Sequence, residues 1–290
     1  MEVESGVYPG QTISADESKA AALAPVVFRP AAGARVRVAA PLYVFASHIT
    51  LARLHVQSVT IGNYDQTPGR PDPTGVTLQN LTGRNFEIDS ATRVTIRGGS
   101  WGPASACGGP YGGGNNSIRQ PTATTPSDIT IDHVRIHDVQ SHDLVECHIE
   151  GLAIFAGRNV TVSNSRFYGN SVYDVFVQNN NPAAPPISGL TIAGNWMAAP
   201  VGLDGRQNGT VIGFSGVSSN VLLADNRFNY VLSLDADGSR PAYSNFKVTG
   251  NVGVLPYYGC GPLHGISWSR NVWRRAACSA SDVNLHGTRL

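Results

Sequence analysis

The 290-residue chain has few charged residues, few cysteines and no long apolar run, and each shortage excludes a class of protein. Charged residues make up 14% of the chain, the net charge is +1, and acids and bases are interspersed. A nucleic-acid-binding surface or a polybasic membrane anchor needs a concentrated basic patch, so neither is expected. No apolar run approaches the roughly 18 residues of a membrane-spanning helix, so no membrane span is predicted.

None of the four cysteines belongs to a C-x-x-C pair, which argues against a structural zinc site or a thioredoxin-type motif. We predict the disulfides Cys260–Cys278, around the last repeat, and Cys107–Cys147, which would tether a Gly-rich insertion. Two disulfides imply an extracytoplasmic location, whereas four free buried thiols are the alternative. The first residues resemble a strand rather than a signal peptide, so we expect the natural leader to be missing from this sequence.

What the chain contains instead is nine copies of one short pattern, with apolar residues at its first and third positions. This alternation is typical of a strand, and long amphipathic patterns are missing, so little helix is expected. Successive copies are separated by 27, 18, 35, 31, 30, 31, 25 and 20 residues, a spacing typical of a solenoid. The copies begin at Ile49, Val76, Val94, Ile129, Val160, Leu190, Val221, Phe246 and Ile266.

The sixth position of the last five copies carries a serine and then four asparagines. Identical amides stacked on successive turns of a solenoid can hydrogen-bond to one another, which satisfies groups that would otherwise be buried without partners. The general preference of asparagine for turns is the alternative explanation. The residues in this column are Ser165, Asn195, Asn226, Asn251 and Asn271.

A second short strand precedes each of the later copies, and we align the segments that begin at Leu152, Val175, Val211 and Leu232. Two or three short strands per turn, joined by turns of unequal length, describe a parallel β-helix whose rungs stack about 4.8 Å apart. A β-propeller is the main alternative, although its antiparallel blades need hairpin turns at fixed places.

We expect a single domain over residues 1–290, with N-terminal rungs and a cap at 1–45 and a last rung and tail at 260–290. Insertions interrupt the regular wall, and long loops on a rigid scaffold are where such folds place binding surfaces. If the insertions emerge at one corner, they border a groove along the rod. The predicted insertions are 98–128, 179–189, 198–210 and 236–245.

The densest group of ionisable residues lies between residues 132 and 150, which contain four of the eight histidines. Equivalent positions on adjacent rungs lie about 5 Å apart, so this group would meet residues of the following rung. A histidine acting as general acid or base, two partner carboxylates and an orienting tyrosine would form a catalytic site. Ordinary turn chemistry is the alternative. The predicted catalytic residues are His142, His148, Glu150, Tyr173 and Asp174.

Substrate contacts are predicted on both sides of this group. Arg206 would hold an acidic sugar beside Asp204, and Asp235 lies one rung further on, where paired carboxylates could also hydrolyse a glycosidic bond. Phe176 and Trp101 would stack on sugar rings, with core packing as the alternative for such aromatic residues.

Segments such as SGVYPGQTI, VVFRPAAGARV and HIEGLAIFAGRNVTVSNSRF resemble the right-handed parallel β-helix repeat proteins of the pectin-lyase-like superfamily, over roughly residues 5–278. The resemblance is greatest to secreted bacterial repeat proteins with no assigned activity. It implies an all-β fold, a single-stranded right-handed parallel β-helix of about nine or more rungs. Members of the superfamily include lyases, hydrolases, epimerases and phage tailspikes, so the fold fixes no reaction.

The best-known catalytic motifs of that superfamily are incomplete here. The pectate lyase strand W-I-D-H is matched by Ile131-Asp132-His133 but has Thr130 in place of tryptophan. Its R-x-P-x-x-R pattern is matched only by Arg119-Gln-Pro121, with Thr124 at the second arginine. Of the polygalacturonase motifs only His264-Gly265 is present. Neither set of catalytic residues can therefore be transferred.

These observations favour an extracytoplasmic, monomeric, carbohydrate-active β-helix protein that binds a polysaccharide in a lateral groove, as a polysaccharide lyase or glycoside hydrolase. The alternative is a non-catalytic structural, adhesive or glycan-binding β-helix protein. Exposed aromatic residues beside clustered ionisable groups would favour the first, and a buried cluster the second. No metal site and no nucleotide or redox cofactor is predicted, although the carboxylates leave Ca²⁺ open.

Overall fold

The chain forms a rod of short parallel strands in the computed structural model. The structure describes residues 1–14, 24–104, 116–140, 149–179, 185–201, 210–216, 218–234, 243–254, 264–275 and 278–285. In these ranges 32 strands form three sheets, every strand pairing is parallel, and no helix occurs. The chain visits the three sheets in turn, which makes it a right-handed parallel β-helix and confirms the predicted fold. None of the described residues forms a helix able to cross a membrane.

The first sheet contains eleven strands, one in each rung of the rod. Its strands are β1 (Glu2–Val3), β4 (Val26–Pro30), β7 (Ile49–Ala52), β10 (Thr74–Gln79), β13 (Thr92–Arg97), β16 (Ser127–Asp132), β19 (Arg158–Ser163), β22 (Ile187–Ala193), β25 (Ser218–Ala224), β28 (Ser244–Thr249) and β30 (Ile266–Ser269).

The second sheet contains twelve strands, each of them two or three residues long. Its strands are β2 (Gly6–Tyr8), β5 (Val36–Val38), β8 (His55–Val56), β11 (Thr82–Gly83), β14 (Ser100–Trp101), β17 (Arg135–His137), β20 (Arg166–Tyr168), β23 (Trp196–Met197), β26 (Arg227–Phe228), β29 (Val252–Gly253), β31 (Val272–Trp273) and β32 (Val283–Asn284).

The third sheet contains nine strands. Its strands are β3 (Gln11–Ile13), β6 (Leu42–Val44), β9 (Ser58–Gly62), β12 (Asn85–Asp89), β15 (Asn116–Arg119), β18 (Leu152–Ile154), β21 (Tyr173–Gln178), β24 (Thr210–Ser215) and β27 (Leu232–Ser233).

The nine sequence copies are the strands β7 to β30 of the first sheet, and they pair in the predicted register. Val76 pairs with Val94, Val94 with Ile129, and Ile129 with Val160, and the same column continues to the last copy. The apolar positions of each copy face the core, and their side chains are buried in the first eight copies and partly buried in the last, at Ile266 and Trp268. Two earlier strands, β1 and β4, extend the sheet by two rungs that the pattern search did not count.

The first four residues of each copy lie between two residues in the left-handed conformation, a feature that the sequence predictions above do not include. The residues just before the first apolar position and at the fifth position of the copy have φ between 51° and 83° in all nine copies. Glycine, asparagine and aspartate tolerate this conformation best, and they dominate both columns. The columns are His48, Gly75, Arg93, Asp128, Asn159, Gly189, Asn220, Asn245 and Gly265, and Arg53, Asn80, Gly98, His133, Asn164, Gly194, Asp225, Gly250 and Arg270.

The predicted asparagine column forms a continuous ladder of buried hydrogen bonds. The Oδ1 atom of Asn195 accepts a hydrogen bond from the Ser165 amide at 2.9 Å, and its Nδ2 donates to Oδ1 of Asn226 at 3.0 Å. The next two steps repeat this geometry between Asn226, Asn251 and Asn271. We call the residues 165, 195, 226, 251 and 271 the asparagine ladder. The side-chain stacking prediction is confirmed.

The alignment of the third-sheet strands was wrong at one segment. Val175 pairs with Ile212 and not with Val211, so β24 lies one residue out of the predicted register. A shift of one residue moves every side chain of a strand to the opposite face. Phe214 therefore pairs with Val177 and is fully buried in the core, rather than lying on the outer wall.

Candidate functional site

Insertions flank the third sheet on both sides. Segments 105–115, 141–148 and 202–209 connect strands of the second sheet to strands of the third. Segments 15–23, 180–184 and 235–242 connect the third sheet to the first. The insertions therefore leave the wall at two corners and not at the single predicted one. Insertion 98–128 is also shorter than predicted, because β14 and β15 lie within it.

The structure brings Glu150, Tyr173 and Asp174 together, but it buries them. The backbone amide of Gly151, the residue after Glu150, donates a hydrogen bond to the Tyr173 carbonyl at 2.8 Å. Glu150 therefore lies on the rung next to that of Tyr173 and Asp174. Glu150 is 2% exposed, Asp174 is 1% exposed, and Tyr173 and Phe176 are 8% exposed. The predicted proximity is thus present, whereas a solvent-facing catalytic patch at these residues is not. His142 and His148 lie outside the described residues.

Burial strongly perturbs the carboxyl group of Asp174. The Nδ2 atom of Asn170 donates to its Oδ1 at 2.7 Å, and its Oδ2 accepts no hydrogen bond within the described part of the chain. Burial raises the pKa of Asp174 from 3.8 to about 8, against the opposing effect of the Asn170 hydrogen bond. The carboxyl group is therefore largely neutral at neutral pH.

Two predicted aromatic contacts differ in their outcome. Trp101 is fully buried, with its ring edge-on to Phe86 at 5.1 Å between centroids, so it belongs to the core and its predicted role as a sugar-stacking residue is wrong. Phe176 stacks on Tyr173 at 4.7 Å in a small cluster outside the main core, with Phe155 beside it. Asp204, Arg206 and Asp235 lie outside the described residues.

Cys278 is the one cysteine within the described ranges. Its half-buried side chain packs against the core and is disulfide-bonded. Its partner lies outside the described residues, so the pairings Cys260–Cys278 and Cys107–Cys147 stay predictions.

A stack of aromatic residues with one exposed ring lies at the other end of the third sheet. Tyr43 in β6 stacks on Tyr64 with 5.1 Å between centroids and a 20° angle, and Tyr64 is 38% exposed. Phe45 lies parallel to both rings, and the guanidinium of Arg70 covers it at 4.0 Å. Arg70 is held by Asp65 at 2.6 Å. The alternating Tyr-x-Phe of this segment is the sequence signal that would have indicated two aromatic side chains on one outer face.

A charged group lies beside these rings on the same outer face. Arg119 of β15 contacts Oε2 of Glu87 at 2.9 Å and both carboxylate oxygens of Asp89 at 2.9 Å. Burial raises the pKa of both Glu87 and Asp89, although Arg119 acts in the opposite direction. The group contains two carboxyl groups and one guanidinium, so one carboxyl group has no positive charge of its own to balance it. Sequence analysis named Arg119 only within an incomplete motif, and it missed the alternating Glu-x-Asp of β12.

The register places these two groups next to each other. Tyr43 pairs with Thr60, and Thr60 pairs with Glu87, so Tyr43 and Glu87 lie in one outward column two rungs apart, about 10 Å along the rod. We call this surface the open end of the third sheet, defined by the residues Tyr43, Phe45, Tyr64, Arg70, Glu87, Asp89 and Arg119, of which Phe45 and Asp89 are buried beneath the others. In the described ranges no group of three or more acidic, histidine or cysteine side chains is arranged to hold a metal ion.

Comparisons with known proteins found only distant structural similarity. No protein-family model and no curated protein matches the chain. Among solved structures, a mutant of a PL6 family alginate lyase is similar over 98% of this chain and 50% of its own, with a TM-score of 0.41 and 11% identity. The A-module of the Azotobacter vinelandii mannuronan C-5 epimerase AlgE4 is similar over 93% of this chain and 85% of its own, with a TM-score of 0.34 and 10% identity.

The PL6 family alginate lyase itself matches 96% of this chain and 49% of its own, with a TM-score of 0.31 and 10% identity. The chain therefore spans about half the length of the alginate lyases that it resembles. Similarities of this size carry no argument about activity.

Proposed function

We propose that this protein binds a polysaccharide along the open end of the third sheet. The observation that carries the proposal is the Tyr43–Tyr64 stack, in which Tyr64 is exposed and Tyr43 half-buried, beside the charged group of Glu87, Asp89 and Arg119. Flat aromatic faces pack against the C–H faces of sugar rings, and paired carboxylate and guanidinium groups hydrogen-bond to hydroxyl groups. Because the two groups lie in one column of the rod, an extended chain can contact both.

We further propose that the protein is a monomer that works outside the cytoplasm. The disulfide at Cys278 supports this location, because disulfides persist in oxidising compartments. The similar solved structures are named for enzymes of alginate and mannuronan, and an acidic polysaccharide of that kind is a reasonable first ligand to test. Which glycan binds is decided by the experiment and not by those names.

The test is a binding measurement with a panel of soluble neutral and acidic polysaccharides, by affinity electrophoresis and calorimetry. We expect Tyr64→Ala to weaken binding of the recognised polysaccharide about tenfold, or about 1.4 kcal/mol. Tyr230→Ala is the matched control, since Tyr230 is 40% exposed and lies six rungs away. Equal affinity of the two variants, with both folded by circular dichroism, would show that this surface is not the binding site.

Catalysis is tested separately on the same polysaccharide, by following new reducing ends and the ultraviolet absorbance of unsaturated uronates. If the protein is a lyase or hydrolase, Glu87→Gln removes the partly buried acid nearest to the bound sugar and lowers the rate. Glu150→Gln leaves the rate unchanged, because Glu150 has little contact with solvent. A protein that binds without forming either product is a non-catalytic glycan-binding β-helix. The burial of Glu150 and Asp174 favours that second function.

A further inference from the structure

The second sheet carries an arrangement of serine, histidine and aspartate that the proposed function does not use. Ser100 of β14 and His137 of β17 lie on neighbouring rungs, and the Oγ atom of Ser100 is 2.9 Å from Nε2 of His137. The other ring nitrogen, Nδ1, is 2.8 Å from Oδ2 of Asp138. When Nδ1–H donates to the carboxylate, Nε2 is left as an acceptor for the serine hydroxyl.

The histidine ring is held in place from several sides. Tyr168, its partner on the next rung, stacks on it with 5.1 Å between centroids and an angle of 8°. Asp138 has a left-handed φ of 52°, and Gly169 is adjacent, where a Cβ would lie 2.3 Å from Oδ1 of Asp138. Only glycine leaves room for the carboxylate at this position. The orientation of the imidazole is therefore fixed before any substrate binds, as catalysis requires.

We propose that Ser100, His137 and Asp138 form a nucleophilic triad that hydrolyses esters. The Ser100 oxygen forms a bond to the ester carbonyl carbon while its proton passes to Nε2 of His137. The carbon–oxygen bond to the alcohol breaks, and His137 returns the proton to the departing alcohol. Water then attacks the acyl group on Ser100, with His137 as base, which releases the carboxylic acid and restores the serine. Asp138 stabilises the charged imidazole in both steps.

The surroundings of Ser100 indicate which esters would bind. Ser100 pairs with Arg135, Arg135 pairs with Arg166, and the same outward column continues through Trp196 to Arg227. The three arginines are exposed, and no hydrogen bond or ion pair of their side chains occurs within the described residues. Arg135 and Arg166 lie on neighbouring rungs about 4.8 Å apart, and Arg227 lies two rungs further on, so the column presents like charges that repel each other and attract anions. The substrate class is an ester on an anionic molecule, with Arg135 nearest the reacting carbonyl.

A second histidine–aspartate pair on the same rung provides an internal control. Nδ1 of His133 lies 2.7 Å from Oδ2 of Asp132, a distance similar to that in the proposed triad. No serine hydroxyl contacts the Nε2 of His133 within the described part of the chain, and its side chain is 62% exposed. His133→Gln therefore alters a similar dyad without altering a nucleophile.

The experiment uses a fluorophosphonate probe and two chromogenic esters, neutral p-nitrophenyl acetate and the anionic p-nitrophenyl monoester of succinate. We expect the probe to label the protein at Ser100, identified by peptide mass spectrometry, and both esters to be hydrolysed. Ser100→Ala and His137→Gln should reduce both signals to the level of buffer, and Asp138→Asn should lower kcat by at least about a hundredfold. Arg135→Gln should lower kcat/KM about tenfold more for the anionic ester than for the neutral one.

His133→Gln is expected to keep full labelling and hydrolysis. A folded wild-type protein that reacts with neither probe nor ester would overturn the proposal, and so would labelling at another residue or an equal loss in His133→Gln and His137→Gln. None of these outcomes depends on polysaccharide binding at the third sheet, so this proposal and the proposed function can fail separately.

Discussion

The asparagine ladder and the carboxyl group of Asp174 are both buried polar systems, and they satisfy their hydrogen bonds to different degrees. In the ladder, each side-chain oxygen accepts from the amides of the rung before, and each Nδ2 donates to the rung after. Asp174 has one hydrogen bond, from Asn170, and one oxygen without any within the described residues.

The difference shows what repetition contributes to this fold. A residue that recurs at one column meets an identical partner about 4.8 Å away on the next rung, so its burial costs little. A polar residue that occurs once has no such partner, and its pKa shifts instead. Asp174, Glu87 and Asp89 all lie in strands of the third sheet, and burial raises the pKa of each. Groups perturbed in this way are concentrated at functional sites.

The largest expected effect concerns the pH dependence of stability. The pKa of Asp174 is about 8 in the folded protein, whereas the ordinary value for an aspartate in contact with water is 3.8. A carboxyl group whose pKa is higher in the folded protein than in the unfolded chain stabilises the fold most below pH 3.8. This stabilisation is lost as the pH rises towards about 8. Each pH unit between the two pKa values is worth about 1.4 kcal/mol, so we expect Asp174→Asn to gain about 4 kcal/mol of stability relative to wild type between about pH 5 and pH 8.

Urea unfolding of both proteins across this pH range measures the effect. The quantity to compare is the difference between variant and wild type at each pH, which removes the contributions of all other titrating groups. A difference that stays flat with pH would show that Asp174 ionises as an ordinary aspartate.

A smaller effect is expected from breaking the ladder at its centre. Asn226→Ala removes the Oδ1 atom that accepts hydrogen bonds from the backbone amide and the side chain of Asn195. It also removes the Nδ2 group that donates to the Ile192 carbonyl and to Oδ1 of Asn251. Because these groups are buried, the loss should cost about 3 kcal/mol without changing with pH. The exposed Asn229→Ala is the control and should change the free energy of unfolding by less than about 0.5 kcal/mol. Similar midpoints for the two variants would mean that the ladder contributes little to stability.

The smallest effect lies where the ladder ends. Asp282 accepts hydrogen bonds from the Asn271 and Cys278 amides and from the Trp273 indole. Burial alone would raise the pKa of Asp282, but the hydrogen bonds from Asn271 and Cys278 keep it below 3.8. Ionised Asp282 therefore stabilises the folded protein above pH 3.8, and this stabilisation is lost as the pH falls. The direction is opposite to that of Asp174.

Asp282→Asn should cost about 1 kcal/mol at neutral pH, a value reduced for partial exposure to solvent, and the cost should disappear in acid. Unfolding curves at neutral and acidic pH give the comparison. A cost that persists below the pKa would contradict the assigned charge effect and leave only packing as its cause.

Local patterns were sufficient to predict some of these features. The nine copies could be aligned because a solenoid repeats one backbone path, and the ladder from Ser165 to Asn271 follows from that alignment. The two left-handed columns were also present in the sequence as recurring glycine, asparagine and aspartate, although the pattern search did not use them.

Other features depend on details that no local pattern records. Phe214 is in the core because β24 is shifted by one residue, and Trp101 is in the core although its Gly-rich neighbourhood is typical of a loop. Ser100 and His137 meet across 37 residues, which include an insertion of irregular length. Their contact could not be read from spacing alone.

The sequence by itself determined the parallel β-helix, the register of the first sheet and the asparagine ladder, because each depends on a residue type recurring at one position of the repeat. The tertiary structure decided which carboxyl groups are buried, which aromatic rings reach the solvent and which serine meets a histidine. Those outcomes depend on strand register and on the segments that cover each face, and a shift of one residue or one insertion changes them while the repeat stays the same.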